Sequence, residues 1–155
     1  MSEPGKNWVY GVGLDVLGRV IEVASGEAFD QFLQHRIFNP LGMSSTLFSV
    51  PQSQAARLAT SYERRRFSVD GVDPAVSSVY LRTPPFPFGG SGLVSSAHDY
   101  DRFLAMIANR GMFGDAQVLH PDAVALGTSN LAPDGADLSG LHSRSEEHTS
   151  ELQSL

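Results

Sequence analysis

The chain has 155 residues, 41% apolar and 18% charged, with 9 Phe, 4 Tyr and 1 Trp, a globular composition that argues against disorder. Its net charge of -6 offers no basic face to displace counterions from a polyanion, which sets nucleic-acid binding aside, and it has no membrane segment, since no run of 18 apolar residues occurs. With no cysteine, disulfides and thiolate metal sites are excluded; Met1 to Lys6 is too short and polar to read as a signal peptide, so the compartment stays undetermined.

In chain order, Val9, Val12, Val16, Val20 and Val23 recur at helical spacing, with Leu17 and Ile21 filling in. This predicts a helix from Tyr10 onward with a broad apolar face, ended by Gly26 as its C-cap. A second, shorter helix is expected over Glu27 to Arg36, with Phe29, Phe32 and Leu33 inward and Asp30, Gln34 and His35 outward. Asn39-Pro40-Leu41-Gly42 has the chemistry of a turn. A short helix at Gln52 to Leu58 and a small hairpin from Ser61-Tyr62-Glu63 and Arg66-Phe67-Ser68-Val69 follow. Asp70 to Phe88 reads as loop, with a strand at Val79 to Leu81, and Gly89-Gly90-Ser91-Gly92 as a flexible loop. Ser96 then caps a strong helix, with Asp99 near the positive end of its dipole and Tyr100, Phe103, Leu104 and Ile107 as its apolar stripe, stopped by Gly111. The last helix is expected over His120 to Gly127, with Pro121 in its first turn.

Residues that could carry chemistry are few. His35, His98 and His120 stand apart from one another, so no metal site is expected, and no cofactor motif is present. Gly89-Gly90-Ser91-Gly92 lacks the Lys-Ser/Thr of a phosphate loop, and Leu93 stands where a nucleophile elbow needs its last glycine, so Ser91 reads as a packed or substrate-bordering residue. The carboxylates of Asp70, Asp73, Asp99 and Asp101 read as solvated cap, helix and turn groups, and Arg64-Arg65-Arg66 as a hairpin tip.

The stretch from Arg144 to Ser154 matches, codon by codon, the translation of a common sequencing-library adapter, and Leu155 is compatible with the next codon. Residues 144-155 are therefore expected to be an artefactual tail, which leaves 1-143 as the native part; removing the tail changes the charge from -6 to -4.

Pro4-Gly5-Lys6-Asn7-Trp8-Val9-Tyr10-Gly11-Val12, with Leu14-Asp15-Val16-Leu17-Gly18-Arg19 after it, resembles the second motif of β-lactamase-related serine hydrolases. There, a Pro-Gly turn leads through an aromatic to a tyrosine at the start of a helix. The likeness continues through Phe38-Asn39-Pro40-Leu41-Gly42-Met43 and Gly89-Gly90-Ser91-Gly92-Leu93-Val94-Ser95-Ser96, and covers about Pro4 to Asn130 in the family's order. It implies an α+β, β-lactamase/transpeptidase-like fold, of which this chain holds mostly the helical lobe and little of the antiparallel sheet. Faces meant to meet that sheet are then expected to be exposed.

In this family a serine in S-x-x-K attacks an acyl carbonyl to form an acyl-enzyme, while the lysine and the motif-two tyrosine handle its proton. Tyr10 matches that tyrosine; a free phenol has a pKa of about 10 and becomes a base near neutrality only beside a cation. The chain contains no S-x-x-K, its one lysine being Lys6, and no Lys-Thr-Gly or Trp-Gly-Gly third motif. The resemblance thus implies a partial domain, inactive alone, of a parent acting on a small-molecule ester or amide. Gly11 and Val12 stand where Ser and, in class C β-lactamases, Asn are frequent, which favours an esterase-like or acyltransferase-like parent. A β-lactamase or D-alanyl peptidase parent, and a non-catalytic helical binding module, remain alternatives.

Overall fold

The computed structural model describes residues 11–132. Tyr10, and the segment 144-155 read as adapter, lie outside the described residues. The described chain is α+β and mostly helical, with two small antiparallel sheets, and divides into two compact units.

One unit gathers Val12–Ser49 and Thr83–Leu131. It opens with α1, Gly13–Ser25, which ends as expected at Gly26, whose φ of 74° accommodates the left-handed cap and whose N–H donates to the Glu22 carbonyl. The inward side of α1 is the unexpected part. The helix packs through Gly18, the one buried residue on it, with Asp15, Ile21 and Glu22 half-buried beside it. Gly18 lies against the Phe29 ring and the Gly89 backbone. The valine stripe lies on the opposite side, with Val12, Val16, Val20 and Val23 between 53% and 71% exposed.

Glu22 links α1 to the next element. Its Oε1 accepts the Phe29 N–H at 3.0 Å, satisfying an orphan donor at the start of α2, Phe29–Leu33, while its Oε2 pairs with Arg19 at 2.7 Å. The Arg19 hydrogen bond first, and the Phe29 N–H next, hold the Glu22 carboxyl below its ordinary value of 4.5. A depressed folded value means that this contribution is whole above the ordinary carboxylate range and is lost as pH falls through the lowered one. Glu22→Gln is therefore expected to flatten the acid limb of the melting-temperature profile, and superimposable acid limbs for the two proteins would refute it.

From α2 the chain does not turn at Asn39-Pro40. It continues through a wider π turn, Gln34–Phe38, into the single turn α3, Asn39–Leu41, and only Gly42 ends the run. Proline has no N–H to give and its ring crowds the carbonyl one turn back. The π turn accommodates this, the Asn39 N–H reaching Gln34 O and the Met43 N–H reaching Phe38 O, both five residues back. What overrides the turn chemistry is burial: Phe38, Leu41 and Met43 join Met106 in the core, packed against Leu33, Ile37, Phe103, Ile107 and Phe113. The Met106 half of that core comes from α4, Ala97–Ala108, capped at Ser96 as predicted. Its stripe is only partly the expected one, since Phe103 and Ile107 face the core whereas Tyr100 and Leu104 are exposed. A two-stranded turn, β3 (Met112–Phe113) with β4 (Ala116–Gln117), leads to α5, Pro121–Gly127, with His120 accepting at its N-cap.

The other unit contains Val50–Arg82. Gln52–Arg57 forms the expected short helix, of 3-10 type. β1 (Ser61–Arg64) pairs with β2 (Val69–Asp73), Arg64 opposite Val69 and Tyr62 opposite Gly71. The second strand starts later than expected because Arg65 to Ser68 make the turn, closed by Arg65 N–H to Ser68 O. Arg65 pairs with Glu63 and Asp70, as a hairpin tip would. Val79–Leu81 is not a strand but a 3-10 turn. Buried Ser78 donates to Asp73 at 2.6 Å and accepts from Tyr80 N–H at 3.2 Å, while Asp73 also accepts from Val79 N–H, so local acceptors wind the segment up. Asp73 is thus half-buried and bonded, contrary to its reading as a solvated turn group.

Candidate active site around the start of α1

Tyr10, the one candidate catalytic position, lies outside the described residues; the element nearest to it in sequence, after Gly11 and Val12, is the first turn of α1. The Gly89-Gly90-Ser91-Gly92 loop lies against this turn. A Cβ on Gly89 would overlap the Leu14 carbonyl, which is why no larger residue fits there, and the Gly90 N–H donates to Asp15 Oδ1 at 3.0 Å. Gly92 sits among the rings of Phe48 and Phe88, and Phe48 meets Phe29 at 6.3 Å between centroids. The loop is therefore pinned at both ends, which corrects its reading as flexible, and Ser91 is half-buried within it. Two stretches of the family resemblance, far apart in sequence, meet here.

Behind the loop the chain pairs Val94 with Leu47 through reciprocal backbone hydrogen bonds and then enters α4. Asp99 is not solvated: it is 2% exposed, and its Oδ2 accepts from Ser45 N–H at 2.7 Å and Thr46 Oγ1 at 3.0 Å. Thr46 in turn contacts Ser95 Oγ at 2.8 Å, and Ser96 Oγ accepts the Asp99 N–H. One turn on, Arg102 donates to the Leu41 carbonyl at 2.8 Å and lies over the Phe113 ring, satisfying the frayed end of α3. Asp99 and Arg102 are scaffold groups that tie the chain at and after α3 to α4. Composition flagged Asp99 only as a cap; the Ser96-x-x-Asp99 spacing was its one signal, and Asp15 had only its polarity within a valine-rich helix.

His35 pairs with Glu27, His98 with Arg102 and His120 with Asp122, three separate places. Among the described residues no group of three or more His, Asp or Glu converges as metal ligands, and no helix is long and apolar enough to cross a membrane.

Comparison with known proteins supplies the family. The family model described as Beta-lactamase matches residues 1–149. Monacolin J acid methylbutanoyltransferase of Aspergillus terreus is 32% identical over 127 residues, covering 81% of this chain and 30% of that protein. Lovastatin esterase of Penicillium rubens is 33% identical over 140 residues, covering 86% of this chain and 33% of that protein. Among solved structures, unliganded simvastatin synthase from Aspergillus terreus, as its selenomethionyl derivative, superposes with a TM-score of 0.74 at 29% identity, covering 94% of this chain and 36% of that one. The chain belongs to the beta-lactamase family and has the β-lactamase/transpeptidase-like fold, in which it supplies mostly helices. It spans about a third of the length of these relatives.

Proposed function

We propose that this chain is the second-motif part of a serine hydrolase that acts on small esters or amides through an acyl-enzyme, with esters favoured, and that Tyr10 serves its proton transfer. In that reaction a serine Oγ bonds to the acyl carbon, its proton leaves through the tyrosine and lysine pair, and the alcohol departs with a proton. The serine and lysine belong to an S-x-x-K that this chain does not contain, so the chain alone is inactive under this reading. The observation that carries it is that a methylbutanoyltransferase and an esterase, both named for acyl chemistry, align over four-fifths or more of the chain. Val12, in place of the class C asparagine, supports esters over lactams. Residues 144-155 are proposed to be translated adapter, outside the domain, and 1-143 its native part.

The test is turnover by the source protein, with its S-x-x-K, on short-chain nitrophenyl esters and on chromogenic lactams. Esters are expected to be the better substrates, and Tyr10→Phe is expected to lower acylation about 100-fold. Near-normal turnover by that variant would remove Tyr10 from the mechanism; faster lactam turnover would favour a β-lactamase or D-alanyl peptidase instead.

A further inference from the structure

We propose that Ser68, at the tip of the β1–β2 hairpin, is a phosphorylation site for an arginine-directed serine kinase, and that Arg65 receives the phosphate. The proposal is independent of the acyl chemistry above. It starts from Arg64-Arg65-Arg66-Phe67-Ser68-Val69, a run in which three cations precede a hydroxyl and an apolar residue follows it. Kinases of this class select substrates by charge, through carboxylates in the cleft that meet arginines on the amino-terminal side of the serine. Such a match is informative only in the right structural setting, and the hairpin provides it. Arg64 to Val69 are all exposed, Phe67 at 90% and Val69 at 65%. The turn is closed by the bond from Arg65 N–H to Ser68 O at 2.9 Å, and the sheet behind it has two strands, which is marginal by itself. The tip can therefore open into the extended form that an enzyme cleft needs without disturbing a core. Arg66 lies 5.1 Å from the Phe67 ring, and among the described residues neither it nor Arg64 has an acidic partner, so both are available to the carboxylates of a kinase.

The third arginine is already placed for the product. Ser68 Oγ donates to Asp70 Oδ2 at 3.3 Å, and Arg65 Nε pairs with that same oxygen at 3.2 Å while another of its nitrogens meets Glu63 at 3.2 Å. Hydroxyl and guanidinium thus converge on one carboxylate. In the transfer, Ser68 Oγ bonds to the γ-phosphorus of a nucleoside triphosphate, the bond from that phosphorus to the diphosphate breaks, and the hydroxyl proton passes to the base of the kinase. The product carries a charge of about −1.5 to −2 at neutral pH beside the Asp70 carboxylate. Repulsion turns Asp70 away, and Arg65, whose planar fork suits a phosphate, exchanges carboxylate for phosphate. The tip changes from a cationic to a nearly neutral surface, while its turn keeps an ion pair.

The experiment incubates the folded source protein with an arginine-directed serine kinase and ATP, and localises the phosphoryl group by tandem mass spectrometry. Ser68 is expected to be the first hydroxyl modified, and Ser68→Ala to lose that early incorporation. Arg65→Gln and Arg66→Gln are each expected to lower the kcat/KM of the kinase about tenfold or more. A different first site, wild-type rates in both arginine variants, or modification of Ser68 only after the protein is unfolded would each overturn the assignment. Reception by Arg65 is read separately, by phosphorus NMR, from the second ionisation of the phosphate, which lies at about 6 for phosphoserine. Removing a neighbouring cation disfavours the more charged form, so the midpoint is expected to be higher in Arg65→Gln than in the wild type. Equal midpoints would place the phosphate in solvent and overturn the role of Arg65.

Discussion

Replacing Gly111 by alanine is expected to cost about 3 kcal/mol or more of stability. Three features of the position lead there. Its φ of 89° lies in the left-handed region, following Arg110 at 55°, so two consecutive residues reverse the chain at the end of α4. Its missing side chain is where the Leu119 carbonyl passes; a Cβ would overlap backbone, which cannot rotate away as a side chain would. Its own backbone is committed on both sides, with the N–H on Met106 O at 2.9 Å and the carbonyl accepting from both Val118 and Leu119 N–H. Moving the backbone to make room therefore disturbs the carbonyl of Met106, which is fully buried in the core. In urea the midpoint should fall by about 1–3 M; a shift of less than about 0.3 M would show that the β3–β4 turn yields freely.

Asp99→Ala is the second large effect, at about 3 kcal/mol. The carboxylate joins the segment after α3 to the start of α4 by accepting from Ser45 N–H and Thr46 Oγ1. Alanine leaves the buried Thr46 hydroxyl with Ser95 alone and deprives the Ser45 N–H of its acceptor, while the Ser96 cap on the same helix survives. The cost thus comes from donors left without partners and not from loss of the helix start. Asp99→Asn keeps one acceptor oxygen and should lose about half as much. Equal midpoints for alanine, asparagine and wild type in denaturant titration would mean that water enters and satisfies these groups.

How far these features could be read from the chain depends on the range of the interaction responsible. Gly26, Ser96 and Pro121 mark helix ends through bonds within a few residues, and each end lies where the sequence puts it. Asn39-Pro40 and Val79–Leu81 misled because their outcome is decided by partners outside the window: a core that needs Phe38 and Leu41 buried, and a Ser78–Asp73 bond that coils a short apolar run. Asp99 was legible as a cap and illegible as a latch, its partners lying 53 and 54 residues away. The family resemblance located the Gly89–Gly92 loop in the fold's order, but Asp15 as its anchor emerges only when the two stretches are seen together.

The outward valines of α1 also have a thermodynamic consequence. One side of the helix, centred on Gly18, is covered by Phe29 and the Gly89 backbone, while the valine side meets solvent. The transfer free energy of that second side is withheld from the fold until another surface meets it. A partner that bound there would select the folded state over the unfolded one and so shift the folding equilibrium by mass action.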